Sequence, residues 1–180
     1  MSRHLPGGVL IKRDIEKLME EDPPLVENLC DPVTQVQEHG VDITVESVHR
    51  FESDGRIGFD NEQRRLAVVE EVPFAAGSPV SLSPGPYLVQ FREILHLPLY
   101  IAAVGWPRSS LIRSGVTLDC AIWDAGFSGR SASLMVVHNP YGFELLPGAR
   151  VLQLMFLATS DSVKHGYRGV FSNRIAPDCR

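Results

Sequence analysis

The stretch VTLDCAIWDAGFSGRSASLMVVHN, residues 116–139, decides the fold. Two apolar, β-branched runs, 116–123 and 132–139, flank a centre holding Asp124, Gly126 and Gly129. Their length and β-branched content make the runs strands. Aspartate can hydrogen-bond backbone two residues on, and glycine accepts positive φ without steric cost, so the centre reads as a tight connection. On that reading Asp124 only turns the chain, and the rest of the sequence has to show whether it also acts on something.

Outward from this hairpin the same texture recurs. VDITV (41–45), RLAVVEEV (65–72), YLVQF (87–91), YIAAVG (100–105), FELLP (143–147) and VLQLMFLA (151–158) are further strands, punctuated by glycine, proline and asparagine. The strand of 100–105 is expected to end at Val104, with Pro107 blocking its continuation. Many short strands predict a mainly β sandwich or barrel. LIKRDIEKLMEE (10–21) sets Ile11, Ile15, Leu18 and Met19 on one helical face, and Pro23-Pro24 stops the run. The expected layout is a single domain over 1–180, with a helical prefix (1–32), a β core (33–160) and a mobile C-terminal tail (161–180). The polar loop 53–65 should be solvated.

Composition narrows the function. The 180 residues are 44% hydrophobic and 22% charged, the profile of a soluble domain able to bury a core. No apolar run is long enough to span a membrane, and the N-terminus lacks a signal-peptide pattern, so the expected location is cytoplasmic. Cys30, Cys120 and Cys179 form neither a metal-ligand spacing nor an even set. A net charge of −5 without a basic block argues against a nucleic-acid partner. A small anion is still compatible, because local cations and backbone amides can hold one.

Three segments carry chemistry suited to an anion. GWPRSSLIRSGV (105–116) brings Arg108, Ser109, Ser110 and Arg113 together, hydroxyls and planar guanidinia that suit phosphate. The same residues could instead start a helix, with a serine as N-cap. Gln153 lies inside an otherwise apolar strand and needs partners, either neighbouring backbone or a ligand. KHGYRGVFSNR (164–174) collects Lys164, Tyr167, Arg168 and Arg174 with two glycines, a segment able to close over an anion or to fray as a tail.

Together these words resemble the superfamily of trimeric dUTPases and dCTP deaminases. PRSSLIRSGV is similar to its second motif, AIWDAGFSG to its third, PGARVLQL to its fourth, GVDITV (40–45) to its first and GYRGVFSN (166–173) to its fifth. The helical prefix and motif separation most resemble the archaeal-type dUTPases. The deaminases of this superfamily carry a glutamate proton shuttle three residues before an asparagine. Here LMVVHN (134–139) places Val136 there, and an aliphatic side chain cannot move a proton. His138 lies two residues along on the same strand face; histidine can serve as an acid or base, although a structural or surface histidine is the commoner case.

The resemblance implies a distorted β-barrel or jelly roll of the dUTPase-like type. It implies hydrolysis of dUTP to dUMP and pyrophosphate, with Asp124 as general base toward water. Phe127 would stack on the deoxyribose and crowd out a 2′-hydroxyl. Backbone near Leu118 to Cys120 would read the base. Arg108, Ser109, Ser110 and Gln153 would hold the nucleotide, and Arg113, Lys164, Tyr167 and Arg168 would add charge or close the tail. Asp42 would act on Mg2+ through water, with no direct protein ligand to the metal. Sites would lie between subunits of a homotrimer. The alternatives are a dCTP deaminase or bifunctional deaminase/dUTPase, and a non-catalytic nucleotide-sensing β-domain.

Overall fold

The computed structural model describes residues 8–75 and 77–171, and in them the mainly β expectation holds. In chain order the elements are β1 (Gly8–Val9), α1 (Lys12–Met19), β2 (Val26–Glu27), α2 (Pro32–Gln35), β3 (Val36–Gln37) and β4 (Gly40–Phe51). A 3-10 turn (Asn61–Gln63) leads to β5 (Val69–Glu71), β6 (Val80–Leu82), β7 (Gly85–His96) and β8 (Ile101–Pro107). α3 (Ser109–Arg113), β9 (Val116–Asp119), β10 (Ser128–Val137), β11 (Phe143–Leu145) and β12 (Arg150–Ala158) complete the described chain. The main sheet runs β1-β12-β4-β7-β10-β9, with β8 on the far side of β12, and curls into a half-barrel. β6 and β11 pair separately.

The curl originates in β4. Its first half pairs with β12 (Val41↔Leu154, Asp42↔Gln153) and its second half with β7 (Ser47↔Gln90, Val48↔Val89). Between the halves Val45 faces Phe91 while Ser47 faces Gln90, a bulge at Glu46 that bends the strand. Residues 41–45 are all buried, and β3 pairs alongside β4 at Val41. Glu93 of β7 locks the bend. Its carboxylate accepts from Gln35 Nε2 (2.8 Å), Thr44 Oγ1 (2.7 Å) and Thr44 N–H (2.9 Å), tying α2, β4 and β7 together. Inside the curl, Phe91, Phe156, Ile101, Met135, Leu152 and Leu154 are fully buried beside Ile15 and Leu18 of α1. Burying each such side chain is worth about 1.5–3 kcal/mol.

Several boundaries differ from expectation. The helix is shorter than 10–21, because Ile11 takes an extended N-cap conformation and is 41% exposed instead of facing the core. β8 runs to Pro107, which pairs with Leu152. Beyond the single bridge at Ala103, β12 is its one ladder partner, and proline is tolerated at such an edge position. RLAVVEEV supplies only Val69–Glu71 as strand. In 116–123 the ladder stops at Asp119, and Trp123 bridges separately to Ala103. The loop 53–65 is exposed, as expected, and closed by a bidentate Arg65–Asp54 pair.

Candidate active site

Asp124 stands at the apex of the quoted connection. Trp123 and Ala103 exchange backbone hydrogen bonds (3.0 and 2.8 Å), which anchors the chain to the early part of β8. The turn is then made by backbone alone. Phe127 N–H donates to Asp124 O at 3.0 Å, Gly126 adopts φ +81°, and Gly126 N–H and Phe127 O both bond to Leu97. The Asp124 carboxylate is exposed and, among the described residues, makes no hydrogen bond or ion pair. The turn does not consume it.

The tail docks on this turn. Tyr167 N–H donates to Ala125 O at 2.9 Å, and the Tyr167 ring lies 5.6 Å from that of Phe127 at 59°. Gly126 and Gly166 meet so closely that a Cβ on Gly126 would fall 2.5 Å from Gly166 Cα. Phe127 is thereby 5% exposed, its ring covered within its own chain. Lys164 and Arg168 are exposed beside this contact, with Arg168 Nη2 3.5 Å from His165 Nδ1. Ser172 onward, including the end of GYRGVFSN, Arg174 and Cys179, lies outside the described residues.

On the way to this pole, Leu118 is buried on β9, and Cys120 lies just past the ladder's end with Ser133 Oγ donating to its sulfur at 3.1 Å. Burial pushes the Cys120 thiol up, so it stays protonated. Cys120, Ala121 and Ile122 belong to no strand.

A second cluster forms at the other end of β8. The N-cap position of α3 falls on Arg108, without a side-chain capping bond, and not on a serine as expected; Ser109 and Ser110 lie inside the helix and, with Arg113, are exposed. Gln153 is half-buried and stands in register between Asp42 and Trp106. Asp42 is buried, and its Oδ2 lies 3.1 Å from Arg150 Nη1 and 3.4 Å from Arg108 Nε. Burial raises the Asp42 carboxyl, and the two guanidinia oppose that shift. Arg150 was not singled out from the sequence, although it sits inside the quoted PGARVLQL; it joins the cluster only because the β12–β4 register sets it opposite Thr44.

The two clusters do not converge within one chain. From Ala103, beside the Asp124 turn, to Arg108, extended chain climbs about 3.3 Å per residue, about 16 Å in all. One end holds Asp124, Phe127 and the docked tail; the other holds the guanidinia and serines.

The magnesium role expected of Asp42 does not fit its surroundings. A hydrated cation would have to approach a carboxylate whose side chain is 4% exposed and already contacted by two positive groups. Among the described residues no three His, Cys, Asp or Glu side chains gather as a metal site. At the position that would carry a deaminase shuttle, Val136 is half-buried between Thr117 and Pro86. His138 is exposed, its Nε2 3.1 Å from Thr117 Oγ1. Among the described residues no helix is long and apolar enough to cross a membrane.

The fold and site define a curled β-domain that presents an exposed aspartate turn and a cluster of guanidinia and serines on separate ends. Residues 9–159 match the dCTP deaminase-like family, and the chain belongs to it. Its relatives carry a more particular name. The chain is 41% identical over 92% of its length to a probable deoxyuridine 5′-triphosphate nucleotidohydrolase of Methanosarcina mazei, covering 97% of that protein. It is 42% identical to the one of Methanococcoides burtonii, over 92% of this chain and 97% of that one. A deoxyuridine 5′-triphosphate nucleotidohydrolase of Methanocaldococcus jannaschii is 35% identical over 78% of this chain and 88% of its own. Among solved structures, the 2′-deoxycytidine 5′-triphosphate deaminase of Agrobacterium tumefaciens superposes with a TM-score of 0.63 at 20% identity. That match spans 86% of this chain and 49% of the other, and it bears on the fold alone.

Proposed function

We propose that this chain hydrolyses dUTP to dUMP and pyrophosphate, at sites shared between copies of a homotrimer. The observation that carries this reading is the Asp124 carboxylate, exposed at the apex of a turn that backbone bonds alone maintain. A group needed only for the turn would be spent on it. A carboxylate there can accept a proton from water as the water attacks the α-phosphorus. The names carried by relatives about 40% identical point to the same substrate. Val136, at the position of the deaminase carboxylate, supports hydrolysis over deamination.

The division of labour follows from the two ends. Asp124 orients and deprotonates water, while Phe127 takes the deoxyribose once Tyr167 moves from its face. Strand backbone near Leu118–Cys120 reads the base. Arg108, Ser109 and Ser110, with Gln153 alongside and Arg113 nearby, hold the triphosphate and stabilise charge on the leaving pyrophosphate. Magnesium carried by the triphosphate oxygens would add charge neutralisation, a role that needs no direct protein ligand. Lys164, Tyr167 and Arg168 close over the ligand and exclude water. Because about 16 Å separates the ends in one chain, the aspartate of one copy must meet the cradle of another. A threefold ring of such head-to-tail contacts closes.

The test is incubation with dUTP and with dCTP separately, with magnesium, scoring pyrophosphate and ammonia. Pyrophosphate from dUTP is expected. Ammonia from dCTP would overturn the assignment and point to His138 as the proton shuttle.

A further inference from the structure

At the buried Asp42 two arginines share one carboxylate. One carboxylate, 4% exposed, faces two guanidinia whose side chains remain 33% (Arg108) and 32% (Arg150) exposed. Both arginines converge on the same oxygen, Oδ2. Arg150 Nη1 also donates to Thr34 O at 3.1 Å, which fixes the guanidinium from a second side. Asp42 itself cannot drift, because its backbone oxygen accepts from Gln35 Nε2 at 2.9 Å and Gln35 is held by Glu93. Arg150 also lies within electrostatic reach of the exposed Asp31 carboxylate, while Arg108 leads directly into the exposed Ser109 and Ser110.

We propose that Asp42 is a positioning residue that aims two arginines at the triphosphate, and that Arg150 is a second phosphate-binding arginine alongside Arg108. A shared carboxylate sets the spacing and orientation of two planar forks before the ligand arrives. Pre-set donors lose less conformational freedom on binding than free side chains do. The role replaces the one through magnesium: Asp42 acts on the phosphates through guanidinia and not through a metal. It rests on the dUTP reading for the identity of the nucleotide, but the anion site itself does not depend on that reading.

The probe is inorganic tripolyphosphate, titrated calorimetrically into the full chain in EDTA. Wild type binds. Arg150→Gln and Asp42→Asn each weaken binding by about tenfold or more, the scale of a lost charge-assisted pair. The double variant loses less than the product of the single losses, because the two act as one unit. Arg150→Lys, which keeps the charge without the fork, falls between wild type and Arg150→Gln. The magnesium concentration for half-maximal dUTP hydrolysis stays unchanged in Asp42→Asn. Melting without ligand reports the cluster's purely structural share, and if Asp42→Asn does not fold, Arg150→Gln decides alone. No tripolyphosphate binding by wild type overturns the proposal, as does wild-type affinity in Arg150→Gln. So does an Asp42→Asn variant that shifts the magnesium requirement but binds tripolyphosphate normally. Intact tripolyphosphate binding without pyrophosphate release from dUTP would instead strike only the proposed reaction.

Discussion

Replacing Gly166 by alanine should detach the tail from the Asp124 turn while leaving the core untouched. A Cβ at Gly166 would meet Gly126 Cα and Leu99 Cδ2 at 2.9 Å each, well inside the ordinary carbon contact of about 3.5–4.0 Å. Leu99 is 42% exposed and can turn aside, but Gly126 is held by its bond to Leu97 and cannot. Gly166 does not occupy the left-handed region, so alanine meets a steric obstacle alone and no backbone strain. The tail must retreat by nearly an ångström, which breaks the 2.9 Å bond from Tyr167 N–H to Ala125 O and loosens the Phe127–Tyr167 ring pair. Those are worth about 1 kcal/mol and about 0.5–1.5 kcal/mol, so docking weakens by about 1.5–2.5 kcal/mol. The docked fraction relative to undocked should fall by at least about tenfold. Hydrogen exchange at the Tyr167 amide reads this directly: its protection should drop by that factor while β12 amides keep theirs. Equal protection of Tyr167 in wild type and variant would refute the argument.

Asp124→Asn should lower dUTP turnover by at least about a hundredfold, the lower end for removing a general base. Its melting temperature should match wild type, because the carboxylate makes no contact among the described residues; unchanged turnover would return Asp124 to turn formation alone. Glu93 gives a pH prediction. Burial raises its carboxyl above the ordinary value of 4.5, against the bonds from Thr44 and Gln35, so the folded state holds this proton to higher pH than the unfolded chain does. In that window the folded state binds more protons, and stability falls as pH rises from about 4.5. Glu93→Gln does not titrate, so urea unfolding across this range should show the wild type losing stability relative to the variant; parallel profiles would contradict the assignment.

The sequence made the β core and the turn legible because both depend on neighbours a few residues apart. Period-two runs and β-branched residues reveal strands whichever partners they find. What stayed hidden depends on pairing at a distance. The length of β4 was invisible because its first half is buried on both faces and the bulge at Glu46 interrupts the alternation that marks a half-buried strand. Pro107 looked like a terminator, yet an edge position makes its missing N–H harmless. In the site, residue types were readable and their grouping was not. Asp42 as a carboxylate at a first motif suggested a metal, whereas its actual partners, Arg108 and Arg150, arrive from β8's end and β12's start. Arg150 precedes the run read as a strand (151–158) and carries no local signal; only strand register brings it to Asp42. Likewise Arg108 and Asp124 lie close in sequence, but β8 and the return through β9 carry them to opposite ends.

Subunit complementation tests the central claim most directly, that the Asp124 of one copy works with the cradle of another. Asp124→Asn and Arg108→Ala chains, each inactive alone, are co-expressed and purified together, and pyrophosphate release from dUTP is measured. Random assortment leaves about one site in four with both groups intact, so the mixed oligomers should recover about a quarter of wild-type activity. Mixed oligomers that form but stay as inactive as either parent would contradict the account, because the aspartate and the cradle would then have to belong to the same chain.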